Sequence, residues 1–209
     1  MAVMLTAAIS GGVRASELPK PAKDIAAAPN GGAQTAVFAG GCFWGVEAVF
    51  EKLSGVTDVV SGYAGGSKAT AHYNVVSMGI TGHAESVMVT YHPSKITYGR
   101  LLTVFFEVAH DPTQMNRQGP DEGTQYRSSI FYASPEQRDV AQAYIAQLTE
   151  AKTFKKKIAT TVVPLEGFYP AEGYHQDFLR RNPGNPYIVY NDLPKLEHLA
   201  KAFPDLLKR

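Results

Sequence analysis

A chain of 209 residues with a single cysteine cannot close an internal disulfide, build a thiolate-rich zinc site or carry a Cys-x-x-Cys redox pair. Neither sign of charge is in excess. Twenty Lys and Arg against nineteen Asp and Glu leave a formal charge of +1, which gives the surface no general pull on nucleic acid or an anionic membrane. The six histidines, His72, His83, His92, His110, His175 and His198, include no H-x-x-x-H pair, so metal-ligand spacing is missing and no cofactor is implied. The glycine-rich stretch GYAGGSKAT lacks the Lys-Ser ending of a phosphate loop and the spacing of a dinucleotide fingerprint. No apolar run reaches the length of a membrane-spanning helix.

What is present suits a globular protein. Hydrophobic residues make up 44% of the chain, and its length supports one buried core. Residues 1–34 read as leader and linker. MAVMLTAAISGG followed by VRAS resembles the apolar segment and cleavage region of a truncated secretory signal, without the basic residues that normally precede one. A cytoplasmic and a periplasmic location therefore both stay open. Residues 35–209 read as one domain with a loop-rich C-terminal tail, expected to be monomeric.

Within that domain TAVFAG is a short strand closed by glycines, and Val46, Val49, Phe50 and Leu53 then form one apolar face of a helix that ends near Ser54-Gly55. VTDVVSGYAGG predicts a strand entering a loop, AESVMVTYH a strand, and TYGRLLTVFFEVAH a helix stopped at Asp111-Pro112. A long polar loop, DPTQMNRQGPDEGTQYR, precedes the strand SSIFYAS. The next helix has Ser134 as its cap, Pro135 in its first position and Gln137 three residues after the cap. KKKIATTVVPLEGFYP predicts one further strand, and PKLEHLAKAFPDLL a short amphipathic helix that packs on the body through Leu196, Leu199, Ala200 and Phe203. The order β-α-β-β-α-β-α-β predicts an α+β fold: a two-layer α/β sandwich with a mixed sheet, built on a split βαβ core.

The lone cysteine, Cys42, falls where the first strand gives way to the first helix, behind Gly40 and Gly41 and ahead of Phe43 and the only tryptophan, Trp44. Unpaired N–H groups and the helix dipole at such a position favour a thiolate. Phe43 and Trp44 point about 100° apart on a helix, so both cannot join its apolar stripe, and at least one is free to wall a pocket beside the sulfur.

These residues carry a resemblance. GGCFWG, GYAGG, TGHAESV, HDPTQMNRQGPDEGTQYRS and AEGYHQDFL, in that order from about Ala36 to Pro186, resemble the successive motifs of the A-type peptide-methionine sulfoxide reductases. The resemblance implies a ferredoxin-like α+β core and thiol-dependent reduction of the S epimer of methionine sulfoxide, free or in proteins. It implies that Cys42 is the nucleophile and that Phe43 and Trp44 hold the substrate methyl group. Glu85 would protonate the sulfoxide oxygen, Tyr73 and Tyr126 would hydrogen-bond it, Asp121 would help place the substrate, and His175 would be mainly structural. Glu85 must then stay protonated near neutral pH, through burial and a nearby thiolate.

Many relatives carry further cysteines near the C-terminus that attack the sulfenic acid. Here NPGNPYIVYNDLPKLEHLAKAFPDLLKR has none, so an external thiol is expected to recycle Cys42: a thioredoxin, a glutaredoxin-type protein or a small thiol. Three other readings of the thiol remain: a cysteine hydrolase or acyltransferase with His175 or His110 as base, a non-catalytic pocket for methionine-rich peptides, and a thiol peroxidase.

Overall fold

The computed structural model describes residues 18–26 and 31–208. The signal-like run lies outside them. In chain order the elements are β1 (Gln34–Gly40), α1 (Phe43–Glu51), β2 (Val56–Ala64), the short α2 (Tyr73–Val76), β3 (Ala84–Tyr91) and α3 (Tyr98–Val104). Then come the two-residue strands β4 (Arg117–Gln118) and β5 (Asp121–Glu122), β6 (Ser128–Tyr132), α4 (Pro135–Glu150), β7 (Thr161–Pro164) and β8 (Phe168–Pro170). The short α5 (Phe178–Arg181) and α6 (Leu193–Ala202) complete the tail.

Six strands form one sheet in the order β7-β6-β1-β3-β2-β8. All neighbours are antiparallel except β6 and β7. The inner order β6-β1-β3-β2, with α1 linking β1 to β2 around the intervening β3, is the expected ferredoxin-like split βαβ core. On β1, Ala36 and Phe38 face the main core while Val37 and Ala39 face a second cluster with Phe131, Leu165 and Phe168. Apolar cover on both faces explains why VFAG does not alternate with polar residues. Phe38 stacks between Phe50 and Phe105, with ring centroids 5.2 and 5.0 Å away, and so ties the sheet to α1 and to the π-turn Phe105–Ala109 that extends α3.

The helix signals hold except at Ala200, which is exposed while Leu196 is half-buried. Ser134 caps α4 by accepting the Gln137 N–H at 3.3 Å, and Leu199 and Phe203 of the tail are fully buried. One expectation fails: the run from Lys155 to Pro170 is two strands on opposite edges of the sheet. A flat six-stranded sheet would set its edges about 24 Å apart, whereas the four steps from Pro164 to Phe168 reach at most about 14 Å. The sheet is therefore curled, and Leu165 passes beneath it into the second cluster. The long loop after Pro112 also contains the small β4–β5 hairpin. Residues 18–26 lie along the helices: Leu18 N–H donates to Glu107 at 2.7 Å and Tyr144 O–H to the Pro19 carbonyl at 2.8 Å.

Two substitutions separate core from cap. Phe38→Ala is expected to cost about 3–5 kcal/mol and Ser134→Ala about 1 kcal/mol, read as midpoint shifts in urea melts; equal losses would contradict this placement of the core.

Candidate active site

The turn from β1 into α1 is specified by its glycine. Gly41 has φ +91°, and a side chain there would also meet Gln118, whose Cβ lies 2.5 Å from the ideal Cβ position. Cys42 then occupies the N-cap of α1. It is 8% exposed. Facing it is Glu85, which continues the core-facing series Val87, Val89 and Tyr91 of β3. Glu85 is 2% exposed, and its Oε2 accepts the Phe43 N–H at 3.1 Å. A carboxyl group on the core face of an inner strand is thereby fixed to the first turn of the helix that bears the thiol.

Around them lies a pocket of about 180 Å³ lined by Cys42, Phe43, Trp44, Tyr73, Glu85, Asp121, Tyr126 and Tyr187. The chain brings together all seven residues singled out from the sequence. Tyr187 is new: its hydroxyl donates to Asp121, and its ring meets Trp44 edge-on at 5.8 Å. The indole of Trp44 stacks on Phe178 at 3.7 Å and donates its N–H to His175 Nδ1 at 3.1 Å. Glu172 was also not anticipated. It accepts the Tyr73 N–H at 3.0 Å and the Tyr63 O–H at 2.8 Å, and so fixes the helix turn that carries Tyr73. Its one sequence signal is its place in AEGYHQDFL.

Burial dominates the electrostatics. It raises Glu85 to about 8, helped by Asp121 and opposed by the Phe43 N–H, so the carboxyl group is neutral at pH 7. Burial also raises Cys42, with Glu85 and Asp192 adding to it. This overturns the helix-end expectation of a resting thiolate. The sulfur makes no side-chain capping hydrogen bond of normal geometry, and the pull of the Trp44 backbone N–H and of Lys195 on its pKa is smaller than the push of desolvation and the carboxylates. Burial keeps Tyr73 and Tyr126 as neutral O–H donors. Asp121 is also raised by burial, against the Tyr187 hydrogen bond and Lys195.

Neither histidine considered as a base fits that role. His110 Nδ1 faces the Phe105 carbonyl at 2.9 Å and Nε2 the Ser128 hydroxyl at 2.6 Å, and burial lowers it to about 4. His175 holds Trp44 through Nδ1, and burial lowers its pKa as well. Among the described residues no group of three or more His, Cys, Asp or Glu is placed to hold a metal ion, and no helix is long and apolar enough to cross a membrane.

A ferredoxin-like layer that presents a thiol and a neutral carboxylic acid to one aromatic pocket defines a thiol-based oxidoreductase. The comparisons give the family. A family model described as peptide methionine sulfoxide reductase matches residues 34–206. "Peptide methionine sulfoxide reductase MsrA 2" of Mesorhizobium japonicum is 59% identical over 183 residues, covering 88% of this chain and 93% of its own. The protein of the same description from Synechocystis sp. is 54% identical over 193 residues, 91% of this chain and 90% of its own. Among solved structures, Mxr1 from Saccharomyces cerevisiae in reduced form superposes with a TM-score of 0.66 at 35% identity, covering 77% of this chain and 91% of that one. Methionine sulfoxide reductase A of Corynebacterium diphtheriae gives 0.64 at 36%, over 74% and 77%. The chain belongs to the peptide methionine sulfoxide reductase family.

A buried neutral acid has a stability signature. Glu85 titrates near 4.5 when unfolded and about 8 when folded, so between these values the native state binds more protons and stability falls as pH rises. The burden at pH 7 is on the order of 3 kcal/mol. Glu85→Gln keeps an acceptor for the Phe43 N–H and is expected to melt higher than wild type above pH 7, with the gap closing below pH 5. A constant gap across that range would show that Glu85 is ionised in the fold.

Proposed function

We propose that this enzyme reduces methionine S-sulfoxide, in proteins or free, with Cys42 as nucleophile and Glu85 as proton donor. The observation that carries the assignment is the pairing of the buried thiol with a neutral carboxylic acid tied to the same helix turn. Sulfoxide sulfur is electrophilic only when its oxygen is protonated or strongly hydrogen-bonded. Glu85 supplies that proton, and the Tyr73 and Tyr126 hydroxyls hold the oxygen. Phe43 and Trp44 form the apolar wall that takes the methyl group, with Asp121 placing the substrate and Tyr187 orienting Asp121.

Glu85 passes its proton to the sulfoxide oxygen, and the carboxylate this leaves is the base that takes the Cys42 proton as the sulfur closes on the cationic substrate sulfur, so the resting thiol needs no prior ionisation. The Cys42 sulfur then attacks, the S–O bond of the substrate breaks, and the hydroxyl ends on Cys42. Methionine departs reduced by two electrons, Cys42 is oxidised by two to sulfenic acid, and Glu85 is reprotonated by the proton the thiol released. Two external thiol equivalents return Cys42 to the thiol, releasing water and a disulfide. The absence of a second cysteine in this sequence supports that route, with a thioredoxin, a glutaredoxin-type protein or a small thiol as donor.

Single turnover without reductant tests the assignment. One equivalent of methionine and one trapped sulfenic acid are expected per chain, none in Cys42→Ser, and a rate about 10²-fold or more lower in Glu85→Gln. The single-turnover rate of wild type is expected to decline above about pH 8, as Glu85 loses its proton, and that decline should vanish in Glu85→Gln. A wild-type rate in Glu85→Gln would remove Glu85 as the donor.

A further inference from the structure

The tail places an ion pair against the thiol-bearing helix that the chemistry above does not use. Asp192, at the start of α6, is fully buried, and Lys195 Nζ meets its Oδ1 at 3.0 Å. The other oxygen, Oδ2, has no hydrogen-bond partner. The pair lies directly on the first turn of α1. A Cβ on Gly45 would sit 2.0 Å from Asp192 Oδ1 and 2.7 Å from Lys195 Nζ. Glycine inside a helix costs roughly 0.5–1 kcal/mol relative to alanine, and its φ here is not in the left-handed region. Room for the pair is thus what position 45 supplies.

A charge pair with one carboxylate oxygen unmatched is a poor stabilising device, because desolvation offsets much of its attraction. Its position gives it another use. We propose that Asp192 and Lys195 are positioning residues that set the acidity of Cys42: the ammonium group favours the thiolate, and the carboxylate both holds that group in place and limits its effect. The other titratable groups facing the sulfur are Glu85 on β3, Asp121 on β5, and the phenols Tyr73, Tyr126 and Tyr187. Lys195 and the Trp44 backbone N–H work towards the anion, whereas Glu85 and Asp192 work against it. The same ammonium group also bears on Asp121 and His110. In a chain with no second thiol of its own, the fixed cation supports the anionic sulfur each time an external thiol returns it.

The test is the pH profile of Cys42 alkylation by iodoacetamide in the full chain, in a Glu85→Gln background so that the neighbouring acid does not titrate. Lys195→Met is expected to lower the thiolate fraction about tenfold at a given pH, a shift of about one unit. Asp192→Asn should move the profile the opposite way, and Lys195→Arg should leave it near the parent. A structural role alone would shift Lys195→Met and Asp192→Asn in the same direction or not at all, and either result overturns the proposal. Should Asp192→Asn fail to fold, the contrast at position 195 decides: identical profiles for Met and Arg refute it. Alkylation needs no sulfoxide, so failure here leaves the reductase assignment standing.

Discussion

The hydrogen bond from the Phe43 N–H to Glu85 joins the two halves of the pocket, the helix turn that bears the thiol and the strand that bears the acid. One end belongs to the first turn of α1, where an N–H without a helical partner must find an acceptor. The other belongs to the core face of β3, where a carboxyl group is tolerated because it is neutral and has a donor. Sheet pairing and core packing already hold β1, α1 and β3 together; this contact is what aims the carboxyl group at the turn that carries the thiol. The β1–α1–β2 crossover around β3 makes the contact possible, since it lays the start of α1 over the strand inserted between β1 and β2.

Desolvation governs the remaining electrostatics, and it acts on both groups alike. It keeps Glu85 a usable acid near neutral pH, and it also keeps Cys42 a thiol until something arrives in the pocket. A resting enzyme with an uncharged sulfur presents little reactivity to stray oxidants, which suits a chain whose sequence offers no neighbouring thiol to trap a sulfenic acid. Aromatic packing gives the pocket its shape: Phe178, His175 and Tyr187 fix the indole of Trp44 from three sides.

Much of this was legible in the sequence, for identifiable reasons. The strand-to-helix junction at Gly40-Gly41-Cys42 and the Ser134-Pro135 cap are local, and local chemistry decided them. The seven pocket residues came from motifs whose order along the chain survives in the fold. Other features were not legible, and three of them show why. The break between β7 and β8 is set by pairing at opposite sheet edges, and both sides of it are equally β-prone. Tyr187 is one of eleven tyrosines and follows no periodicity; it matters only because the tail folds back over α1. The protonation of Cys42 had its sign reversed because the helix-end argument is local, while burial is a property of the whole fold.

The place of the sole tryptophan has a practical consequence. Its indole lines the pocket, stacks on one ring and shares its proton with another, and no second indole exists in the chain to dilute its signal. Ultraviolet emission excited at the red edge therefore originates beside the Cys42 sulfur alone. The protein carries its own optical probe, set in the wall of the pocket and needing no label.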